Sequence, residues 1–93
     1  MTGIRTIGVI GAGQMGNGIA HVCALAGFDV LLNDVSAERL EAGLKTIQRN
    51  MDRQVHRQTI TGEQRDAGMR RIKAAKSLSE FSSVEFAIEA ATE

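Results

Sequence analysis

Residues 11–16 read GAGQMG and could form a turn that holds phosphate groups. The three glycines of this G-x-G-x-x-G spacing have separate tasks in such a turn. Gly11 would permit the tight bend, Gly13 would let backbone amides approach a pyrophosphate, and Gly16 would let the following helix pack closely. The spacing therefore indicates a site for a ligand that carries two linked phosphates.

The hydrogen-bond donors of this site would be backbone N–H groups at the start of the helix. Gln14 and Met15 lie there, where the helix dipole is positive and the first N–H groups have no partner within the helix. The same glycine spacing also occurs in kinase loops and by chance, and its plainest interpretation is a tight turn without a ligand. The neighbouring elements decide between these interpretations.

A strand before the turn and a helix after it favour the phosphate site. The β-branched run before Gly11 is typical of a strand buried in a parallel sheet and consists of Ile4, Ile7, Val9 and Ile10. The apolar residues after the turn fall at helical spacing and are Met15, Ile19, Val22 and Ala26. Gly27 suits the left-handed conformation that ends a helix. Residues 30–32 form a second apolar run, which completes a βαβ unit with parallel strands.

An acidic residue stands where a nucleotide sugar would lie. Asp34 closes the second strand about 20 residues after the glycine turn, where a carboxylate accepts hydrogen bonds from the hydroxyls of an adenosine ribose. That carboxylate would repel a 2′-phosphate, and no arginine follows it directly. The two motifs together predict dinucleotide binding, with NAD favoured over NADP.

The rest of the chain indicates a helical hairpin followed by two short strands. Ser36 can cap a long helix, and Thr61 begins a capping-box pattern, so residues 36–71 would form two antiparallel helices. Residues 72–76 and 86–88 have strand character, with a single helical turn between them. We predict an α/β fold, part of a Rossmann-type doubly wound parallel sheet, with the helical hairpin inserted between strands 2 and 3.

The composition bounds the class of protein. The 93 residues include 11 Lys plus Arg and 11 Asp plus Glu, so the formal net charge is zero and nothing indicates binding to nucleic acid or to a membrane surface. The single cysteine, Cys23, excludes an intramolecular disulfide and fits a reducing compartment, so the default expectation is a cytoplasmic protein. No apolar run approaches the ~18 residues of a membrane span, and no export signal is expected.

Residues 7–20, 31–34 and 88–93 together resemble the N-terminal NAD-binding domain of bacterial 3-hydroxyacyl-CoA dehydrogenases, a family that includes 3-hydroxybutyryl-CoA dehydrogenases. The hairpin of residues 36–71 adds to this resemblance, because an ordinary Rossmann crossover is shorter. Each piece alone is unspecific, but the combination runs from end to end of the chain.

This resemblance implies NAD-dependent, reversible oxidation of the 3-hydroxyl of a short or medium acyl-CoA to the 3-ketone. It places Glu93 at the nicotinamide ribose and the backbone near Ala90 in the same groove. It also places Asn50 and Arg57, on the long helix, at the CoA moiety, although the family more often has a lysine where this chain has Arg57. An arginine there can still pair with phosphate.

The resemblance also implies parts that lie beyond the chain. The family's catalytic serine, histidine–glutamate pair and asparagine follow the segment that ends at Glu93, and so does its helical dimerisation domain. Residues 1–93 would be the N-terminal part of the NAD-binding domain, without catalytic residues, and the complete protein would bind acyl-CoA and form a homo-oligomer. Neither His21 nor His56 is placed to act as a general base. A non-catalytic nucleotide-binding module and another β-hydroxyacid dehydrogenase remain alternatives.

Several residues that could do chemistry also have simple structural interpretations. His21 would pack or face solvent, Cys23 would be a small buried apolar residue, and Met51 would fill the core. Glu89 would lie either at the exposed end of a strand or near the cofactor. The basic residues of the long helix have the spacing of a solvated face and are Lys45, Arg49, Arg53 and Arg57.

Overall fold

The chain is described by a computed structural model that covers residues 5–90. Three α-helices and a 3₁₀ segment alternate with four short strands in this part of the chain. In chain order the elements are β1 (Thr6–Ile10), α1 (Gln14–Leu25), β2 (Asp29–Asn33), α2 (Ala37–His56), α3 (Gly62–Arg71), β3 (Ile72–Ala74), the 3₁₀ segment (Leu78–Ser83) and β4 (Phe86–Glu89).

The four strands form one parallel sheet in the order β3-β2-β1-β4. Val9, at the centre of β1, is in register with Leu32 of β2 on one side and Ile88 of β4 on the other. The chain moves outward from β1 through β2 to β3 and then returns to the opposite side of β1. This reversal of direction lies between β1 and β4, the place where open α/β sheets bind ligands. The predicted α/β Rossmann-type fold is confirmed.

The face that α1 buries differs from the predicted one. Met15 and Val22, two members of the apolar stripe that predicted this helix, are 56% and 67% exposed. The buried face consists instead of Gly16, Ala20 and Ala24. Small residues occupy that face because the helix backbone lies against the turn after β1, which leaves no room for longer side chains. The predicted helix is confirmed, and of its apolar stripe Ile19 packs against the core while Met15, Val22 and Ala26 are exposed.

The inserted hairpin lies between β2 and β3 in the chain, as predicted, and packs against α1. The long apolar stripe of α2 is buried at Leu40, Ile47 and Met51. Gly68 of α3 lies so close to Met51 that an added Cβ would be 3.2 Å from its Cε atom. Arg71, at the end of α3, donates a hydrogen bond to the carbonyl oxygen of Ala24 over 2.7 Å. The hairpin and α1 therefore form one packed layer.

Strand β3 is shorter than the predicted segment 72–76. The N–H groups of Lys76 and Ser77 donate to the carboxylate of Glu80 over 2.9 and 3.3 Å, which turns the chain out of the sheet. The following 3₁₀ segment then places the ring of Phe81 over Gly8 of β1, where a Cβ would be 2.5 Å from the ring. No helix within residues 5–90 is both long and apolar enough to cross a membrane.

Candidate functional site

The glycine turn follows β1 at the carboxyl edge of the sheet. Gly11 has a φ angle of +105°, a conformation that residues other than glycine rarely adopt. A Cβ on Gly16 would overlap the carbonyl oxygen of Gly11, whereas a Cβ on Gly13 would meet nothing within 4 Å. Gly11 and Gly16 thus shape the turn, and Gly13 leaves an open space beside it.

Helix α1 starts at this turn without the partners that usually satisfy a helix N-terminus. Its N-cap is Gly13, which has no side chain to accept a hydrogen bond, and the first turn contains no acidic residue. Asn17 fixes the turn from within the helix, because both its backbone N–H and its side-chain amide donate to the carbonyl oxygen of Gly13 over 2.8 Å. The first N–H groups of α1 therefore carry partial positive charge toward the open space.

The carboxylate of Asp34 ties the glycine turn to the start of α2. Its Oδ2 atom accepts a hydrogen bond from the N–H of Ala12, and its Oδ1 atom accepts one from the N–H of Ser36, each over 2.9 Å. Burial by itself raises the pKa of Asp34. The backbone hydrogen bonds and the charge of Arg39 lower it by more, so the pKa lies below its ordinary value. The carboxylate is ionised at neutral pH, and each oxygen keeps a lone pair for a further donor.

Three adjoining cavities lie along this edge of the sheet. The cavity of about 430 Å³ is lined by Gly13, Gln14, Met15 and Ala90, all of them predicted site residues. Ala90 reaches it because its N–H donates to the carbonyl oxygen of Ile10 over 2.7 Å, which continues β4 beside β1. The predicted site residue Glu93 lies outside the described residues.

The second cavity, of about 520 Å³, lies on the far side of Asp34. Val35 lines it and is 98% exposed, which is unusual for an aliphatic side chain next to a buried strand. Most of the remaining lining is also apolar and consists of Ala37, Leu40, Leu44 and Ala74. Lys76 lies at the same cavity as Asp34 and supplies a positive charge.

The third cavity is a groove of about 530 Å³ between the start of α1 and the side of α2. Asn50 lines this groove and accepts a hydrogen bond from Arg53 over 3.3 Å. Arg57 does not line it, because this residue caps the carboxyl end of α2 and is exposed. The structure therefore brings Asn50 to the glycine turn but leaves Arg57 beyond the groove.

Three residues of the site were not among those predicted from the sequence. Asn17 anchors the turn, and Arg39 lines the groove beside Ala12. Gly43 lets α2 approach the same turn, since a Cβ there would be 2.6 Å from the carbonyl oxygen of Ala12. A glycine inside a long helix costs about 1 kcal/mol relative to alanine, and this cost was a signal of close packing.

The remaining candidate residues have structural positions. His21 and Gln54 are joined across α1 and α2 by a hydrogen bond of 2.6 Å between His21 Nε2 and Gln54 Oε1. Cys23 is half-buried, and burial raises the pKa of its thiol, so its reactive thiolate form is scarce. Glu89 is exposed at the end of β4. Residues 5–90 contain no cluster of His, Cys, Asp and Glu that could hold a metal ion.

Comparison with known proteins decides the family. Residues 6–93 match the family model described as 3-hydroxyacyl-CoA dehydrogenase, NAD binding domain. The chain belongs to this family. It is 54% identical over 90 residues to the 3-hydroxybutyryl-CoA dehydrogenase of Bradyrhizobium diazoefficiens, a match that covers 97% of the chain and 31% of that protein. It is also 36% identical over 93 residues to the 3-hydroxyadipyl-CoA dehydrogenase of Escherichia coli, with coverage of 100% and 20%.

Solved structures agree with this family membership. The crystal structure of the (S)-3-hydroxybutyryl-CoA dehydrogenase of Ralstonia eutropha superposes with a TM-score of 0.93 and 37% sequence identity, over 98% of this chain and 32% of that one. The chain thus spans about a third or less of these relatives. The match lies in the NAD-binding domain of this family, and NAD is the cofactor of that domain.

The residues around the glycine turn suit this cofactor. A dinucleotide needs anion donors for its pyrophosphate and acceptors for its ribose hydroxyls. The uncapped start of α1 supplies the donors beside the space that Gly13 leaves open. Asp34 supplies an ionised acceptor next to the same turn.

Proposed function

We propose that this chain supplies the cofactor site of an enzyme that reversibly oxidises the 3-hydroxyl of an acyl-CoA to the 3-ketone. The observation that carries the proposal is an uncapped helix start beside an ionised aspartate that binds the same turn. The first offers free N–H donors to an anion, and the second offers acceptors to a sugar. Both lie at the point where the direction of the sheet reverses.

Each predicted cofactor residue has a part in this proposal. The pyrophosphate would lie over Gly13, with backbone N–H groups of Gln14 and Met15 as donors. Gly11 and Gly16 would hold the turn in shape, and the carboxylate of Asp34 would accept the hydroxyls of the adenosine ribose. The nicotinamide ribose would lie toward the two residues at the end of the chain that the family resemblance assigned, Ala90 and Glu93.

The bound cofactor would accept a hydride from the substrate, and this chain would orient it without itself moving a proton. The substrate's CoA moiety would lie along α2, where Asn50 lines the groove beside the turn. Arg57 caps the carboxyl end of the helix and does not line this groove, so it would contact a phosphate of CoA that extends beyond the groove. The serine, histidine, glutamate and asparagine of the chemical step would come from sequence that follows residue 93.

The proposal extends to the complete protein. A helical domain that follows the cofactor domain would form the dimer contact, so we expect a homo-oligomer. Near-zero net charge and the single cysteine fit an enzyme of the cytoplasm that acts on small molecules, not on nucleic acid or membranes. The acyl group is a separate matter, since the relatives' names give both butyryl and adipyl chains.

A cofactor titration tests the site. NADH binding should be measured with the 93-residue chain through the fluorescence of the nicotinamide, because the chain has no Trp or Tyr to interfere. Asp34→Ala should weaken NADH binding about 10- to 100-fold, the value of hydrogen bonds to a charged group. Asp29→Ala is the matched control, since Asp29 is an exposed carboxylate at the opposite end of the same strand. Equal affinities in the two variants would refute the assignment of Asp34.

Turnover separates an enzyme from a nucleotide-binding module. The protein encoded by the complete reading frame should oxidise NADH in the presence of acetoacetyl-CoA, and the 93-residue chain should bind NADH without turnover. A complete protein that binds NADH but never reduces the ketone would leave only the binding function.

A further inference from the structure

Arg39 lies beside the glycine turn, although it does not directly follow Asp34 in the chain. A chain of hydrogen bonds fixes its backbone: Asp34 binds the N–H of Ser36 over 2.9 Å, and the hydroxyl of Ser36 accepts the N–H of Arg39 over 3.2 Å. The other oxygen of Asp34 binds the N–H of Ala12. Ala12 and Arg39 line the same groove. Arg39 and Asp34 therefore flank the same short stretch of backbone.

The guanidinium of Arg39 has no partner within residues 5–90. The ion pairs of this part of the chain join Arg65 to Asp52 and to Asp66 over 3.1 Å, and Arg39 forms its hydrogen bond to Ser36 through its backbone N–H and not through its side chain. Arg39 is exposed, so its side chain is available to a ligand at the end of the groove beside Ala12, which lies about three helical turns from the end that Asn50 lines. Its charge nevertheless reaches Asp34, where it adds to the backbone hydrogen bonds that outweigh burial and lower the pKa.

We propose that Arg39 is a second determinant of cofactor choice, and that it acts against Asp34. The carboxylate accepts the ribose hydroxyls and repels a 2′-phosphate, whereas an arginine close to the ribose accommodates that phosphate. A guanidinium binds phosphate through two parallel hydrogen bonds, which a lysine cannot do. NAD would thus be selected over NADP because the repulsion between Asp34 and the 2′-phosphate exceeds the attraction between Arg39 and that phosphate. This inference rests on the proposed function, because it requires the adenosine ribose to lie at Asp34.

Affinities for NADH and NADPH in single variants test the role of Arg39. Arg39→Ala should weaken NADPH binding about tenfold and leave NADH binding unchanged, because only NADPH carries the 2′-phosphate. Lys45→Ala is the matched control, since Lys45 is an exposed cation of α2 that does not line the groove. Lys76→Ala tests the other cation near Asp34, which lies in the neighbouring cavity. The Lys45 variant should bind the two cofactors as the parent chain does, and any loss of NADPH affinity in the Lys76 variant should be smaller than the loss in the Arg39 variant.

Neutralising the aspartate gives the larger effect. Asp34→Asn should shift the ratio of NADPH to NADH affinity about 10- to 100-fold toward NADPH. The added substitution Arg39→Ala should lower that ratio again by about tenfold, through NADPH alone. Asparagine keeps an oxygen for a backbone N–H, and far-UV circular dichroism should verify that the variant is folded. The same test can be made with Asp34 unchanged, by comparing how well 2′-AMP and 5′-AMP compete with NADH. The substitution Arg39→Ala in the parent chain should weaken the binding of 2′-AMP and leave that of 5′-AMP unchanged.

The outcomes distinguish this inference from the proposed function. Equal losses of NADH and NADPH in Arg39→Ala would place Arg39 at the pyrophosphate and overturn the inference, while the cofactor site itself would stand. A loss of NADPH in Lys76→Ala but not in Arg39→Ala would also overturn it. A parent chain that binds neither cofactor would refute both proposals.

Discussion

The helices of this chain begin in two different ways. In the inserted hairpin, α2 and α3 start with capping hydroxyls from Ser36 and Thr61, and each has a glutamate in its first turn. Thr61 and Gln64 complete a full capping box, with hydrogen bonds of 3.0 and 2.7 Å. Helix α1 starts at Gly13 with neither a side-chain cap nor an acidic residue. The hairpin thus satisfies its helix starts internally, and the cofactor helix leaves its own start open to an external anion.

Two glycines of α1 extend this comparison, because Gly16 packs closely against the glycine turn and Gly18 has open space around it. Gly16→Ala should lower the free energy of unfolding by about 3 kcal/mol, since its Cβ would overlap the carbonyl oxygen of Gly11. Gly18→Ala, two residues further along α1, should instead raise it by about 0.5–1 kcal/mol, because nothing lies within 4 Å and alanine favours helix. Urea unfolding followed by far-UV circular dichroism measures both. Two variants of equal stability would contradict the close contact.

Giving α1 the kind of start that α2 and α3 have should break the comparison. Gly13→Asp places an acidic cap on an N-cap residue whose backbone is already extended, so helix stability should rise by about 0.5 kcal/mol. NADH affinity should fall tenfold or more, roughly 1.4 kcal/mol, because the carboxylate competes with the pyrophosphate for the same N–H groups. Gly13→Asn is the control, since it caps without charge. Unchanged NADH affinity in Gly13→Asp would mean that the anion does not lie at the start of α1.

Removing the caps from the hairpin is the reverse test. Thr61→Ala should cost about 1 kcal/mol of stability, because it opens the capping box of α3. It should leave NADH affinity unchanged, since α3 does not line the cavities beside the glycine turn. The two quantities are measured by urea unfolding and by NADH titration of the same preparation. A parallel loss of cofactor affinity would show that the hairpin start and the cofactor site are not independent.

The smallest expected effect is a dependence of stability on pH. Glu85 Oε1 accepts hydrogen bonds from the N–H groups of Arg5 over 2.6 Å and Thr6 over 3.0 Å, and these bonds lower its pKa. Because the pKa is lower in the folded chain, the contribution to stability is present above the unfolded value of about 4.3. It is lost as the pH falls through the folded value. Melting temperatures measured from pH 7 to pH 3 should show a shallower decline in Glu85→Gln than in Glu41→Gln, which removes an exposed carboxylate elsewhere.

The sequence was sufficient for the parts of the site whose geometry is local. The spacing of the glycines and the position of Asp34 after a strand specify a turn and an acid, and the capping residues of α2 and α3 mark helix starts, because these features involve neighbouring residues. The buried face of α1 could not be found in this way, since glycine and alanine carry little hydropathy and the larger Met15 and Val22 dominate the pattern.

Contacts between elements were also beyond the sequence. Arg39 and Gly43 belong to the site only because α2 packs against the glycine turn. The family resemblance assigned Asn50 and Arg57 to the same CoA moiety, and the two residues are about 10 Å apart along the helix. The groove ends before the last turn of the helix, and this limit is a property of the packing alone.

Helix α2 borders both the glycine turn and the groove that we propose for the substrate. Its backbone meets the glycine turn at Gly43, and its side chain at Asn50 borders the groove that the substrate would use. A substrate that displaced α2 as a rigid body would change the space beside the glycine turn, where we propose that the cofactor's phosphates bind. Linkage then requires that the cofactor change the substrate's affinity by the same factor. The approach of Gly43 to Ala12 is the contact through which such a coupling would pass.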